Sequence, residues 1–147
     1  MENVFSDEYF MKKALVEAQR AFEKGEIPVG AIVVAGNQII SKSHNLTELL
    51  NDVTAHAEMQ SITAAANFLG GKYLKGCTIY ITLEPCQMCA GALYWSQIDR
   101  IVFGADDPQR GFRAMGTKLH PKTEVQSGVL EHECAELMLR FFREKRK

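Results

Sequence analysis

Two cysteines and one histidine stand at the spacing of a metal site. Cys86 and Cys89 form a Cys-x-x-Cys pair just after an apolar run that predicts a strand, and His56 stands thirty positions before Cys86. Two thiolates and one imidazole are good zinc ligands, and three protein ligands leave the fourth position of a tetrahedral ion open to water. Because a structural zinc is closed by four protein ligands, the spacing predicts a catalytic zinc site.

Glu58 is the acid and base that such a site needs. It stands two residues after His56, and positions two apart on a helix do not share a face. In the first turn of a helix, His56 would reach the metal while Glu58 points toward the vacant site beyond it. We therefore expect one carboxylate to take a proton from the water and to return it to the reacting molecule.

A structural zinc site is the alternative, and it would need a fourth protein ligand. Cys77 begins a predicted strand and Cys134 lies on the apolar face of the last predicted helix, so both are expected in the core. His44, His120 and His132 are expected to pack or to lie on the surface. The open, catalytic site is the favoured interpretation.

These residues must be positioned by an α/β domain. Apolar periodicity and turn residues predict a helix over 7–23, a hairpin of strands 29–34 and 38–43, a helix over about 55–68, a strand over 77–82, a helix over 88–95, strands over 101–103 and 123–126, and a helix over 131–145. Strand–helix alternation after a hairpin predicts a three-layer α/β architecture with a mixed sheet. His56 and Cys86 then lie at two helix starts that follow strands, where open α/β sheets bind ligands.

Finer details of the elements are also predicted. Gly30 in the first strand is expected to allow close approach of a ligand or a backbone, and Gly104 to close the fourth strand. The last helix is expected to turn Cys134, Leu137, Met138, Phe141 and Phe142 inward.

Length and composition place these elements in one ordinary globular chain. The 147 residues predict a single domain over 1–147, with 46% hydrophobic and 24% charged residues. No apolar run approaches the about 20 residues that cross a bilayer, and the first eight residues lack the pattern of a secretory signal. Four cysteines, two at metal spacing, favour a reducing compartment. We expect a cytoplasmic protein without a membrane segment.

The net charge of −1 hides an asymmetry. Residues 1–108 carry 8 Lys and Arg against 13 Asp and Glu, whereas residues 109–147 carry 9 against 5. A basic C-terminal third is suited to local binding of a polyanion, and a solvated basic tail is the simpler alternative that charge alone favours.

Four stretches of the sequence together resemble the bacterial tRNA-specific adenosine deaminases, which convert wobble adenosine to inosine. His56 and Glu58 with Pro85, Cys86 and Cys89 match the H-x-E…P-C-x-x-C pattern of zinc nucleobase deaminases. The flanking stretches 25–31, 54–58, 82–92 and 102–105 match this branch more closely, and the resemblance extends to the C-terminal stretches 128–130, 133–135 and 141–143.

The resemblance implies a fold, a cofactor and roles for several residues. It implies a cytidine-deaminase-like fold, three-layer α/β/α with a mixed five-stranded sheet, and a homodimer with one zinc ion per subunit. The zinc ligands would be His56, Cys86 and Cys89, and Glu58 would deliver protons to a ring nitrogen and to leaving ammonia. Substrate binding would fall to Asn45, the backbone of Ala57 and Asp107, with a tRNA anticodon loop as the partner.

The chain also departs from the pattern of this family. Val53 stands where proline is usual, residues 107–125 form a shorter segment, and 120–122 replace a typical Asn-His pair. Basic residues nevertheless stand in this segment and at the C-terminus, where they suit phosphate contacts. The predicted RNA contacts are Arg110, Arg113, Lys118, Lys122, Arg143 and Arg146.

Two other functions share parts of this pattern. A deaminase of a free nucleobase or nucleoside, of guanine or cytosine type, would use the same zinc residues on a small substrate. A zinc-containing RNA-binding module would keep the metal without turnover. Salt dependence separates the first alternative, because only a polyanionic substrate loses affinity steeply as salt rises.

Overall fold

The computed structural model describes residues 4–145, and these form four helices and five strands. The order is α1 (Asp7–Glu23), β1 (Gly30–Ala35), β2 (Gln38–His44), α2 (Ala57–Leu69), β3 (Cys77–Leu83), α3 (Gln87–Ser96), β4 (Arg100–Ala105), β5 (Glu124–Gln126) and α4 (Glu131–Lys145). No helix within 4–145 is both long enough and apolar enough to span a membrane.

The five strands form one mixed sheet in the order β2-β1-β3-β4-β5. β1 pairs antiparallel with β2 and with β3, whereas β3, β4 and β5 run parallel. The tight turn between β1 and β2 places Gly36 at φ 52° and Asn37 at φ 66°, the left-handed conformation that two-residue hairpin turns require. The mixed five-stranded sheet is confirmed.

Helices cover both faces of the sheet, because alternate strand residues point to opposite sides. On one side Val33, Ile79 and Ile101 pack with Ala65 of α2 and Leu93 of α3. On the other side Ile32, Tyr80 and Val102 pack with Met11 of α1 and Cys134 of α4. This arrangement confirms the three-layer α/β/α prediction.

Two strand glycines let helices approach the sheet closely. A Cβ on Gly30 would collide with the backbone of Ala14 and Ala18 in α1, so this glycine admits a helix backbone and not a ligand. A Cβ on Gly104 would collide with the Sγ of Cys134 in α4. β4 extends to Ala105, so Gly104 lies inside the strand. The prediction that Gly104 closes the strand is wrong.

Two further predictions about the helices are corrected. α2 begins at Ala57, so His56 is its N-cap residue and not a member of its first turn. Phe142 of α4 is 41% exposed, whereas Phe141 is 6% exposed. Fewer residues of α4 face inward than its apolar pattern predicts, because Phe142 lines a surface cavity instead.

The start of α1 is tied to the sheet by a carboxylate–guanidinium pair. Asp7 accepts hydrogen bonds from Nη1 and Nη2 of Arg100 at 2.7 and 2.8 Å, and from the Tyr80 hydroxyl at 2.9 Å. The Arg100 hydrogen bonds hold the pKa of Asp7 below its ordinary value of 3.8. The carboxylate form is therefore favoured in the folded protein.

Asp7→Asn is expected to lower the free energy of unfolding by about 1–2 kcal/mol at pH 7, because it removes a partly buried bidentate pair. A lowered folded-state pKa stabilises fully above the unfolded value near 3.8 and ceases to do so as the pH falls through the folded value. Urea unfolding should therefore show a constant difference from pH 7 to about pH 5 that shrinks below pH 4. Glu8→Gln, at an exposed position of the same helical turn, is the control and should change little.

Candidate functional site

Two helix N-termini meet at the carboxyl end of the parallel strands. His56 is the N-cap of α2 and Cys86 is the N-cap of α3, and both have extended backbones, with φ of −69° and −74°. Neither side chain forms a capping hydrogen bond with its own helix. Both are instead turned toward one another, and Cys89 in the first turn of α3 joins them.

The imidazole and the two thiols form a compact three-ligand group. His56 Nδ1 lies 3.7 Å from Cys86 Sγ and 3.5 Å from Cys89 Sγ, and all ligand atoms lie within 4.8 Å of one another. Throughout residues 4–145, no other set of histidine, cysteine and acidic side chains comes together in this way. The group can hold a metal ion, and none of the five residues considered as a fourth ligand belongs to it.

The donor set has the chemistry of a cation site. A hydrogen bond from Cys89 lowers the pKa of Cys86 to about 4, with a further contribution from His56. The same bond, with burial, raises the pKa of Cys89. Thiolates are the metal-binding form of cysteine, and a cation between the ligands would favour the charged form of both.

Glu58 is buried beside this group. Glu58 is 4% exposed and lies in the first turn of α2, where the helix dipole favours a carboxylate. Desolvation by burial nevertheless raises the pKa of Glu58 to about 7. A carboxyl group with a pKa near neutrality can both accept and donate a proton under ordinary conditions.

A cavity of about 680 Å³ opens over the group, and its volume lies within the range of small-molecule sites. Its floor includes His56, Ala57, Glu58 and Cys86. Asn45, the residue directly after β2, is 6% exposed and also lines the cavity. Within residues 4–145, Asn45 Oδ1 is the buried side-chain oxygen or nitrogen that lacks a hydrogen-bond partner. An unpaired buried acceptor costs about 1–3 kcal/mol, which a donor on a bound molecule would recover.

A polar part of the cavity lining follows the end of β4. Asp106, Asp107, Gln109 and Arg110 form it. Asp107 Oδ1 accepts hydrogen bonds from the backbone N–H groups of Gln109 and Arg110 at 3.2 and 3.0 Å, which closes a tight turn. We define residues 106–113 as the rim segment. Asn45, Ala57 and Asp107, predicted to bind substrate, thus line one cavity with Glu58.

The predicted RNA-contact residues are dispersed. Arg110 lines the cavity, and Lys118 is exposed farther along the same chain segment. Arg143 is exposed and pairs with Glu136 at 3.3 Å. Lys122 lies by the amino ends of β3, β4 and β5, beside Arg100, at the opposite end of the parallel strands from the cavity. Arg146 lies outside the described residues.

Arg113 has internal partners. Its guanidinium pairs with Glu84 at 3.0 Å and with Asp106 at 2.7 Å. Burial raises the pKa of Glu84, but hydrogen bonds from Arg113 and from the backbone of Asp107 outweigh burial and hold that pKa below its usual value. The RNA-contact role of Arg113 stays a prediction, and its guanidinium already has two carboxylate partners.

Two buried acids near the cavity were missed from the sequence. Glu26 is 1% exposed and accepts hydrogen bonds from the backbone N–H groups of Glu48 and Leu49, at 3.0 and 2.7 Å. Glu84 is 3% exposed and accepts hydrogen bonds from the rim segment. For Glu84 the available signal was its place between β3 and the Pro85-Cys86 step, and for Glu26 its place just before Ile27 and Pro28.

A family model and a curated protein that match this chain are both deaminases. The model of the MafB19-like deaminases matches residues 5–146. The tRNA-specific adenosine deaminase of Bacillus subtilis is 47% identical over 149 aligned residues, covering 96% of this chain and 91% of that protein.

Solved structures also resemble this chain. One comes from studies of A-to-I editing by tRNA:A34 deaminases at the wobble position of transfer RNA, and it shares 44% identity with a TM-score of 0.81 over 88% of this chain and 98% of its own. The guanine deaminase of Bacillus subtilis shares 34% identity with a TM-score of 0.66 over 76% of this chain and 70% of its own.

Proposed function

The chain belongs to the family of the tRNA-specific adenosine deaminases, and from that premise we propose that it deaminates adenosine to inosine at the wobble position of a tRNA anticodon. The reaction consumes water and releases ammonia. The observation that carries the proposal is the cavity in which the Glu58 carboxyl and the unpaired Asn45 amide oxygen lie beside the three-ligand group.

Zinc is the metal that we propose for the three-ligand group. Two cysteine sulfurs and one imidazole nitrogen form a soft set that suits this ion. His56, Cys86 and Cys89 would hold one ion per subunit. When bound, zinc would supply a water whose pKa lies near neutrality, so that hydroxide is available without strong base.

Glu58 moves the protons of the reaction. Its carboxylate takes a proton from the attacking water and gives it to N1 of the adenine ring, so that C6 accepts the new oxygen. The carboxylate then takes the remaining proton from the new C6 hydroxyl and passes it to the N6 amine. The C6–N6 bond breaks, ammonia leaves, and the C6 oxygen becomes the carbonyl of inosine. A pKa of about 7 fits a group that must be deprotonated at the first step and protonated at the second.

Asn45 and the backbone of Ala57 hold the base over these groups. Asn45 Oδ1 would accept a hydrogen bond from a donor of the nucleoside, which gives this buried oxygen the partner that it lacks in the described chain. A base inside a folded anticodon loop must leave its stack to enter the cavity. Asp107 and Arg110 stand at the rim, where the neighbouring nucleotides would pass.

The remaining parts of the proposal concern assembly and location. We propose one deaminase domain over residues 1–147, a homodimer, and a cytoplasmic location where tRNA is present. The single sheet and the match over 5–146 support the first. Exposed Val53 and Trp95, at 84% and 76%, are side chains that a subunit interface would cover. All four cysteines are free thiols, which fits a reducing compartment.

The salt dependence of kcat/KM tests whether the substrate is RNA or a small base. For an anticodon stem-loop with adenosine at the wobble position, log kcat/KM should fall with log salt at a slope of about −2 to −4, as expected for three to five phosphate contacts. Free guanine and free adenosine serve as comparators. Turnover of a free base that exceeds turnover of the stem-loop, with no salt slope, would favour the guanine-deaminase type of function instead.

A further inference from the structure

A buried carboxylate that the proposed reaction does not use lies directly beneath the rim segment. Glu84 follows β3, two residues before Cys86, and is 3% exposed. A buried charge is costly unless it is paired and hydrogen-bonded. Within the described chain, the groups that donate to this carboxylate all belong to the rim segment.

Four hydrogen bonds join Glu84 to the two ends of the rim segment. Oε1 accepts from the backbone N–H of Asp107 at 3.0 Å and from Arg113 Nη2 at 3.0 Å. Oε2 accepts from the backbone N–H of Arg113 at 3.2 Å and from its Nε at 3.1 Å. The guanidinium therefore binds the carboxylate in a bidentate manner, which fixes the orientation of the two groups as well as their distance.

Arg113 makes two further contacts that limit its freedom. Its Nη2 also donates to Asp106 Oδ1 at 2.7 Å, and its guanidinium lies 5.1 Å from the ring centre of Phe103 in β4. Arg113 thus connects the first residue of the rim segment, the buried carboxylate and the sheet. A surface arginine that only awaited a phosphate would need none of these contacts.

Backbone contacts hold the middle of the rim segment against the metal-site chain. Phe112 donates to the carbonyl of Pro85 at 2.9 Å, and Gly111 forms an antiparallel bridge with Cys86. A Cβ on Gly111 would collide with the Glu84 carboxylate. The rim segment and the residues that carry Cys86 therefore share one rigid frame.

We propose that Glu84, acting through Arg113, is a positioning residue that sets where Asp107 and Arg110 meet the RNA. This inference rests on the proposed function for its substrate and on the contacts above for its geometry. Arg113 then acts on the substrate through the rim segment and not by direct contact, while Arg110 is the arginine of this segment that lines the cavity.

Amide hydrogen exchange tests the positioning role without any substrate. In Glu84→Gln, exchange at the Asp107 and Arg113 amides should quicken about five- to tenfold, because each loses a charged acceptor. Amides of the β1–β2 hairpin should not change. Asp7→Asn is the matched control, since it also removes a carboxylate that binds an arginine bidentately, but at the amino ends of the strands. Unchanged exchange in the rim segment of Glu84→Gln would overturn the proposal.

Kinetics with the anticodon stem-loop separate positioning from direct contact. Arg113→Ala should raise KM about tenfold with kcat within about threefold and with the salt slope unchanged. Arg110→Ala should reduce the steepness of the salt slope by about 1, as removal of a phosphate contact does. A loss of about 1 in the slope for Arg113→Ala would overturn the proposal in favour of direct contact.

A double variant tests whether the two residues act together, and a single variant replaces Glu84→Gln if that protein does not fold. The double variant Glu84→Gln/Arg113→Ala should raise KM no more than the single variant with the larger effect, because both substitutions disrupt the same Glu84–Arg113 interaction. Additive effects would contradict that coupling. If Glu84→Gln fails to fold, amide hydrogen exchange of the rim segment is measured in Arg113→Ala instead. The Arg113 side chain is 48% exposed. Absence of inosine with the wild-type protein would overturn the proposed function, while the exchange result would still decide the geometry.

Discussion

Glu58→Gln is expected to lower kcat for deamination about 10²- to 10⁴-fold, the usual contribution of a positioned general acid and base. Glutamine has nearly the size of glutamate, so the buried site should keep its shape. Its amide cannot take a proton from water, nor return one to N1 or N6. The measurement is single-turnover inosine formation with a wobble-adenosine stem-loop, together with metal content and thermal unfolding.

The control for this prediction is a buried carboxylate elsewhere. Glu17 of α1 is 3% exposed and pairs with Arg20 at 2.9 Å, outside the cavity lining. Glu17→Gln should affect stability and leave kcat within about threefold, because it touches no reacting atom. Deamination by Glu58→Gln at more than a tenth of the wild-type rate, in a folded and metal-loaded protein, would show that another group moves the protons.

Cys89→Ala is expected to reduce zinc affinity by more than about 100-fold and to abolish deamination, because even outer-shell partners of metal ligands cost 10–100-fold in affinity. Cys89 is buried and its Sγ lies 3.5 Å from His56 Nδ1. Elemental analysis of the purified protein should fall from about one zinc per chain toward zero. Chelation of the wild type should remove activity, and added zinc should restore it.

A second buried cysteine provides the matched comparison. Cys134 is 1% exposed but packs against Gly104, on the opposite side of the sheet from α3. Cys134→Ala should keep about one zinc per chain and most of the activity, at some loss of stability. Equal zinc loss in both variants would mean that the metal is not held by the three-ligand group.

The elements of the fold were predictable because local patterns and packing agree. The apolar stripe of α1 and the Gly36-Asn37 turn both appear where periodicity and turn chemistry place them. The first residue of α2 was missed by two positions, since His56 gives up a helical conformation to turn its ring toward the cysteines. Gly104 was misplaced because its reason is a long-range contact with Cys134, which no local pattern records.

The residues that carry the chemistry of the site were predictable from the sequence, whereas the contacts that hold the rim segment in place were not. Spacing and residue type alone predict that His56, Cys86 and Cys89 come together, and the fold places their ligand atoms within 4.8 Å of one another. The pairing of Arg113 with Glu84 could not be predicted, because the two residues are 29 positions apart in the chain. An arginine in a basic stretch of the sequence can therefore meet a buried acid that is distant in the chain.

The basic residues illustrate the same limit. Lys122 follows Arg110 in one basic stretch, yet the two lie at opposite ends of the parallel strands. A strand such as β4, with six residues, is about 20 Å long. Charge patterning therefore located a basic stretch, whereas only strand direction shows which of its members stand beside the cavity.

Inosine formation at a single tRNA position is the most direct test of the proposed function. Purified zinc-loaded protein is incubated with an arginine tRNA transcript that carries adenosine at the wobble position, and the nucleosides at each position are identified by nuclease digestion and mass spectrometry. The expected result is inosine at the wobble position, with other adenosines unchanged and one ammonia released per inosine. Unchanged wobble adenosine, alongside ammonia release from free guanine, would contradict the proposed function.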